Sequence, residues 1–437
     1  IMSHDLLAQP FTLPCGVTLP NRLAKAAMTE GLADAKQRAS DRLNTLYRRW
    51  AEGGSGLLIT GNVQVDREVL ERPGNVVIAP DIEQDSVALA KLEAWAKAGT
   101  ANGNQLWMQI NHAGRQSPRY VTRQPVAPSA VKLDLMGNYA SPRALTESEI
   151  LDLIQRYAHA ARVAQKTGFT GVQIHAAHGY LLSSFLSPIT NQRSDAWGGS
   201  LANRARFLLE TVRATRAAVG PNYPVAIKLN SDDFRQGGFS HEECLQVVAW
   251  LNDLQVDLLE ISGGTYEQPK LLGHTGRSDS IKTETLAVRT STRQREAYFL
   301  EYAAAIRKVA TMPLMVTGGF RSRQAMEQAL RDGDCDVIGL GRPLCTDPNT
   351  VNDLLSGKID RVATYEHTLR LAAKGLFSPA SPVLPLKLIN VIGGQAWYYQ
   401  QLFRLADGLD ANPKMGLLRA LTAYYSDELR QAWRIRH

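Results

Sequence analysis

The sequence lacks any uncharged apolar run of about eighteen residues, the length a membrane-spanning helix requires. Its start shows no basic segment followed by an apolar stretch, so the expectation is a cytoplasmic protein with neither a membrane span nor a secretory leader. Cysteine is scarce: Cys15, Cys244, Cys335 and Cys345 lie far apart and offer none of the close pairs that build zinc sites or iron–sulfur clusters. Ordinary reduced thiols are expected. No low-complexity tract and no repeat of solenoid period is visible. The 49 Lys and Arg exceed the 42 Asp and Glu, for a net charge of +7, but the basic residues are interspersed with acids. Without a dense basic run carrying interleaved aromatics, no nucleic-acid partner is expected. A mildly positive surface equally suits phosphorylated small molecules, because it raises the local concentration of anions.

What is present is enough apolar material for a large core: 44% of the 437 residues are hydrophobic and 21% charged. Length alone permits two domains or one large barrel. Short β-rich runs recur at Leu23–Met28, Gly56–Thr60, Gln105–Ile110, Gly171–His175, Val225–Leu229, Leu258–Ser262, Leu314–Thr317 and Val337–Leu340. Each is followed by a stretch of helical periodicity, the pattern of repeated βα units, so an α/β fold, a (β/α)8 TIM barrel, is expected. Thr146 with Glu149 and Ser240 with Glu243 have capping-box spacing and mark two helix starts. Apolar residues at Ile150, Ile154, Tyr157, Ala161 and Ala164, and again at Leu201, Ala205, Leu208, Val212 and Val219, mark buried helix faces.

Two connections, residues 111–145 after the third strand and 263–293 after the sixth, are longer than βα loops need to be and should wall a pocket at the C-terminal face. A hairpin of Phe11–Leu13 and Val17–Leu19 should plug the opposite face. The βα rhythm stops near residue 361, which divides the chain into a barrel over 1–360 and an extension over 361–437. That extension reads as a helical arm packing on the barrel or on a neighbouring subunit of a homo-oligomer.

The most informative segment is Gly171-Val-Gln-Ile-His-Ala-Ala-His-Gly-Tyr-Leu-Leu. His175 closes a strand, and His178 and Tyr180 follow within five residues, so all three should project near the barrel mouth. Two imidazoles with a phenol suit a site that grips a carbonyl oxygen and protonates a neighbouring carbon. On residue type alone, metal binding and plain packing stay open too, although no acidic or thiol third ligand lies nearby and the segment is not a His-Glu-x-x-His helix.

His-Ala-Ala-His-Gly-Tyr-Leu-Leu, followed by Asn191-Gln-Arg-Ser-Asp-Ala-Trp-Gly-Gly-Ser-Leu-Ala-Asn-Arg-Ala-Arg-Phe207, resembles the old yellow enzyme family. The resemblance continues through Asn21-Arg22, Met-Gln-Ile-Asn-His-Ala-Gly-Arg115 with Gln109, Lys228, Thr317-Gly-Gly319 and Gly339-Leu-Gly-Arg-Pro343. It spans roughly residues 5–357 and leaves the extension unexplained. It implies a noncovalent FMN cofactor, NADPH or NADH as reductant, and reduction of the activated C=C bond of a small-molecule substrate.

Carried over by position, the resemblance implies that His175 and His178 hold the electron-withdrawing group of an α,β-unsaturated carbonyl or nitroalkene, and that Tyr180 delivers a proton to its α carbon. It assigns Lys228 to the anionic N1/O2 side of the flavin, where many relatives carry arginine, Gln109 to the pyrimidine edge, and Thr29 to O4. A buried salt bridge for the lysine and a simple strand-end role for the threonine are the competing views. Ala27 stands where relatives often have proline, and Asn62 where they often have glycine or alanine. Both can still serve through backbone groups, although the Asn62 side chain can reshape the site. Gly318, Gly319, Gly341 and Arg342 follow the seventh and eighth strands, where barrels bind phosphate.

The Trp-Gly-Gly-Ser segment reads as architectural, with Ser200 capping a helix and Arg204 and Arg206 bracing loops. In the 263–293 connection, Tyr266, Arg289 and Arg293 are candidates for the substrate channel by position only. The alternatives carried forward are a flavin-dependent demethylase or an aromatic or steroid catabolic oxidoreductase of the same fold, a flavin-binding protein without turnover, and a metal-dependent barrel hydrolase.

Overall fold

The computed structural model describes residues 5–134, 137–233, 235–262, 302–318, 320–365, 368–372, 374–379 and 381–436. The chain opens with an antiparallel hairpin, β1 (Phe11–Thr12) and β2 (Thr18–Leu19). There follow β3 (Leu23–Lys25), α1 (Asp41–Glu52), β4 (Leu57–Ile59), the short β5 (Val63–Gln64), α2 (Ser86–Gly99) and β6 (Gln105–Asn111). The connection after β6 carries the two-residue pair β7 (Val126–Ala127) and β8 (Arg143–Ala144). Next come α3 (Glu147–Thr167), β9 (Gly171–Ala176), α4 (Leu181–Leu186), α5 (Leu201–Val219), β10 (Val225–Asn230), α6 (His241–Leu251) and β11 (Leu258–Ser262). After α7 (302–309) the chain runs through β12 (Leu314–Thr317), α8 (Arg323–Arg331), β13 (Val337–Leu340), α9 (Pro343–Thr346) and α10 (Thr350–Leu355), then α11 (Leu384–Ala406) and α12 (Leu417–Arg436).

Eight of these strands close on themselves. The order β4-β3-β13-β12-β11-β10-β9-β6 is parallel throughout, and a β4–β6 pairing joins the ends, so no barrel edge is left open. This is the (β/α)8 TIM barrel. The first strand is shorter than expected: Ala26 still donates its N–H to the Leu340 carbonyl at 2.8 Å, after which the chain leaves the ladder. Apolar character through Met28 carries no information about where pairing ends.

Alternation along the strands sorts the core into two layers. Residues such as Leu58, Leu106, Val172, Ile174, Ile227 and Ile338 face outward into the helix layer. Inward, Ala24, Leu57, Trp107, Ala226, Leu258 and Val337 fill the lower barrel together with Leu13 and Leu19 of the hairpin, which plugs that end. Two residues further along several of the same strands the inward face turns polar, at Gln109, Lys228 and Glu260. Sequence alternation thus builds an apolar floor under a polar mouth.

The helix layer starts where the sequence indicates. Both capping boxes form, at Thr146–Glu149 and Ser240–Glu243, and Ser200 accepts from the Asn203 N–H to cap α5. Edge-to-face aromatic contacts run Trp50–Tyr47–Trp95–Phe169, with centroids 5.1 to 5.4 Å apart, and tie α1 and α2 to the turn before β9. Arg204 donates to the Gly199 and Leu186 carbonyls and pairs with Glu243, and Arg206 donates to the Ala196 carbonyl, so both brace the loops around them.

Helix α11 lies against α1 and α9 and pairs with α12, burying Trp397, Leu402 and Leu405. Arg49 of α1 donates to the Leu405 and Leu409 carbonyls, and Arg42 pairs with Asp407.

Candidate active site

The segment after β9 is held in an unusual shape. His178 has φ +62°, a left-handed conformation that a β-carbon disfavours. Its N–H donates to Asn230 Oδ1 at 3.2 Å, its carbonyl accepts from Gln116 Nε2 at 2.7 Å, and Ser262 Oγ meets its Nε2. These anchors come from β10, from the connection after β6 and from the end of β11. Asn230 is itself held by Asp233, through Nδ2 to Oδ1 at 3.0 Å.

So fixed, the three residues singled out in sequence converge. The His175 ring centroid lies 5.4 Å from that of His178 and 4.9 Å from that of Tyr180, both edge-on. Burial, reinforced by nearby positive charge, holds both imidazoles well below the usual histidine range. For His175 the further causes are His178 and Lys228, and for His178 it is Lys228. Both rings are therefore neutral at neutral pH. His175 Nδ1 accepts the Ala177 N–H at 3.2 Å, which leaves the proton on Nε2 and makes that nitrogen a donor.

Below the histidines lies a chain of polar groups that crosses four strands. Gln109 Nε2 donates to Gln173 Oε1 at 2.9 Å, Gln173 Nε2 donates to Glu260 Oε2 at 2.6 Å, and Lys228 Nζ stands 3.3 Å from Glu260 Oε1. Register explains the alignment: Gln109 is opposite Gln173, and Lys228 lies between His175 and Glu260. Lys228 is thus ion-paired as well as turned toward the site. Gln173, Glu260, Asn230, Gln116 and Ser262 were not singled out from sequence. Gln173 carried a usable signal, standing two residues before His175 on the same strand face, as did Glu260, an acid inside an otherwise apolar strand.

Thr29 donates from Oγ1 to Glu71 Oε1 at 2.9 Å and accepts from Asn62 Nδ2 at 3.2 Å. Asn62 Oδ1 accepts from Gln64 Nε2 at 2.6 Å, so the unexpected asparagine is absorbed into a local amide network. Ala27 is half-buried beside the inner core cluster. Arg342 lies over the Tyr398 ring of α11, 5.6 Å from its centroid. Gly319, Tyr266, Arg289, Arg293 and the whole 263–293 connection fall outside the described residues.

Two features test whether FMN suits this mouth. At the β12 and β13 ends, Gly318 has φ +90° with no atom of the described residues within 4 Å of the place a β-carbon would take, and Gly341 meets among them only the Met28 side chain, Sδ at 3.6 Å and Cγ at 4.0 Å. Open space beside backbone N–H groups suits a phosphate. Within the barrel, side-chain amides and an ammonium match the alternating donors and acceptors of a flavin pyrimidine edge. The residues fit the group. Among the described residues, no cluster of metal-ligating side chains is present, and the four cysteines are free.

A closed parallel barrel with a plugged floor and this polar, imidazole-lined mouth defines a flavin-dependent oxidoreductase. The sequence profile of the NADH:flavin oxidoreductase / NADH oxidase family matches residues 6–360, and the chain belongs to that family, within which it groups with the old yellow enzymes. It is 36% identical over 419 residues to the NADH-dependent flavin oxidoreductase iccE of Talaromyces variabilis, covering 92% of this chain and 98% of that protein. It is 34% identical over 348 residues to the NADH oxidase of Thermoanaerobacter brockii, covering 79% of this chain and 50% of that protein. The old yellow enzyme homologue from Zymomonas mobilis superposes with a TM-score of 0.66 at 27% identity, covering 82% and 95% of the two chains. The protein is an oxidoreductase that uses FMN with NAD(P)H as reductant.

Proposed function

We propose that the enzyme reduces activated C=C bonds of α,β-unsaturated carbonyls or nitroalkenes, with NADH or NADPH as the electron source. When bound, FMN would supply the redox chemistry, hydride transfer by way of N5 between the nicotinamide and the β carbon of the substrate. The protein's part is to orient and polarise. His175 donates from Nε2, and His178 contributes through Nδ1, its Nε2 being engaged by Ser262, so that two neutral donors grip the carbonyl or nitro oxygen as enolate-like charge develops. Tyr180, packed against His175, delivers the proton to the α carbon. Lys228 and Gln109 hold the flavin at N1/O2 and along its pyrimidine edge, Thr29, Ala27 and Asn62 line the opposite edge, and Gly318, Gly319, Gly341 and Arg342 hold its phosphate. Tyr266 contributes to the substrate channel. Residues 1–360 form the FMN-binding unit and 361–437 its extension, and the enzyme works in the cytoplasm.

The observation that carries this reading is the convergence of two neutral imidazoles and a phenol at the C-terminal mouth of a barrel in this family. It is tested by anaerobic mixing of the yellow protein first with NADH or NADPH and then with cyclohexenone. Flavin bleaching followed by reoxidation is expected. Bleaching without reoxidation by any enone or nitroalkene would leave a flavin oxidoreductase but remove the ene-reductase assignment.

A further inference from the structure

Thr29 is tied to the last helix of the chain. Its carbonyl accepts from Arg72 Nη1 at 3.2 Å, and its hydroxyl donates to Glu71, whose other oxygen accepts from Asn75 at 3.1 Å. Arg72 is 3% exposed, and its Nε and Nη2 both stand 2.9 Å from Oε1 of the fully buried Glu428, on α12. The guanidinium abuts two stacked tyrosines of the extension: its Cζ lies 4.2 Å from the Tyr399 centroid on α11 and 5.3 Å from that of Tyr424 on α12, and the two centroids are 5.4 Å apart. Tyr120 from the connection after β6 donates to Glu428 Oε2 at 3.1 Å, and Gln431 donates to the Gly31 carbonyl at 3.2 Å. The match to iccE covers 92% of the chain, more than residues 6–360 provide, so similarity to that relative runs into the extension.

A buried ion pair is weak ground for net stability, because desolvation of both charges offsets their attraction; what it does supply is a fixed geometry. Here the geometry is passed to a loop beside the flavin mouth. The Arg72 fork pins the Thr29 backbone. An ionised Glu71 only accepts, so it turns the Thr29 hydroxyl proton toward itself, while Asn62 occupies one hydroxyl lone pair. The one lone pair left on Thr29 then faces a fixed direction, where it can accept from the N3–H beside flavin O4 but cannot donate to O4 itself.

We propose that Glu428 is a positioning residue of the flavin site: acting through Arg72, it fixes Thr29 against the flavin edge, so that the C-terminal extension sets cofactor affinity and potential. This rests on the flavin reading above, with Thr29 at the O4 edge.

The test is a double-mutant cycle on the full chain, using Glu428→Gln, Thr29→Ala and their combination. FMN dissociation is read from flavin fluorescence and the midpoint potential from dye-equilibrated reduction. Glu428→Gln should weaken FMN binding by about tenfold, a coupling usual for members of one hydrogen-bond network, and raise the midpoint potential, because an acceptor held at the flavin edge disfavours the electron-rich reduced ring. The combination should be no worse than Thr29→Ala alone. Asp407→Ala, which removes an exposed pair between the extension and α1, should leave both readings unchanged. Additive effects in the cycle would overturn the proposal while leaving the flavin reading intact, whereas a wild-type protein that binds no FMN would remove both. If Glu428→Gln yields no folded protein, Tyr120→Phe takes its place in the same cycle; unchanged affinity and potential there would also overturn the proposal.

Discussion

His178 occupies a left-handed backbone position that costs a non-glycine residue roughly 1–3 kcal/mol where it is not intrinsically favoured, and Asn230, Gln116 and Ser262 hold it there. That expenditure brings its ring beside His175 and Tyr180. Replacing Tyr180 with Phe should slow reoxidation of the reduced flavin by an enone about a hundred- to ten-thousand-fold while leaving reduction by NADH within a few-fold; stopped-flow of the two half-reactions checks this. The neutral imidazoles also give a pH dependence. Below the ordinary value of 6.5 the unfolded chain binds protons that the folded His175 and His178 refuse, so stability is full above that value and is lost as pH falls through it. Buried Asp233, pushed up to about 6, acts with the opposite sign, since its folded form regains a proton as pH falls below that value. Glu71 and Asp334, also raised by burial, act in the same sense as Asp233, but the two histidines, held well below their usual range, should still make the melting temperature fall between about pH 7 and about pH 5. Calorimetry of the His175→Asn/His178→Asn variant should show a flatter profile. The histidines and Tyr180 were legible because they follow one strand within five residues. Their anchors were not, because Asn230, Gln116 and Ser262 come from three other segments.

At the scale of elements, helix starts were more legible than strand ends. A capping box is a local reciprocal bond between residues three apart, so Thr146 and Ser240 declare themselves in sequence. Thr146→Ala should lower stability by about 1 kcal/mol in urea denaturation, with no change in flavin spectrum. Where β3 stops depends on its partner β13, which no local pattern reports. The pair β7–β8, the short β5 and helix α4 were invisible for the same reason. Close packing between strands supplies a sharper test. A β-carbon on Gly339 would stand 2.0 Å from Thr317 Oγ1 and 2.6 Å from Met315 Cε, so Gly339→Ala should force β12 and β13 apart. A loss of roughly 1–3 kcal/mol, the usual cost of overpacking, together with weakened FMN binding is the expected outcome.

Across the whole molecule, closure of the barrel and docking of the extension are the two decisions that make the site. Closure places residues from β6, β9, β10 and β11 in one polar chain, which no single stretch of sequence contains. Docking buries Trp397, Leu402 and Leu405 and seals Arg72 against Glu428. Removing residues 381–437 should therefore leave an uncompensated buried charge and a newly exposed apolar face, reported by increased binding of a hydrophobic dye and a lower melting temperature.

By itself the sequence determined the eight βα units, the plugging hairpin, two helix caps and the motifs of the old yellow enzymes, because these depend on alternation, reciprocal local bonds and residue order. Only the tertiary structure decided that Lys228 is paired with Glu260, that Thr29 is gripped by Glu71 and Arg72, and that the extension reaches the loop after β3 through Arg72. Such pairings join residues tens to hundreds of positions apart, and their partners are chosen by strand register and helix docking, quantities set by the closed barrel as a whole.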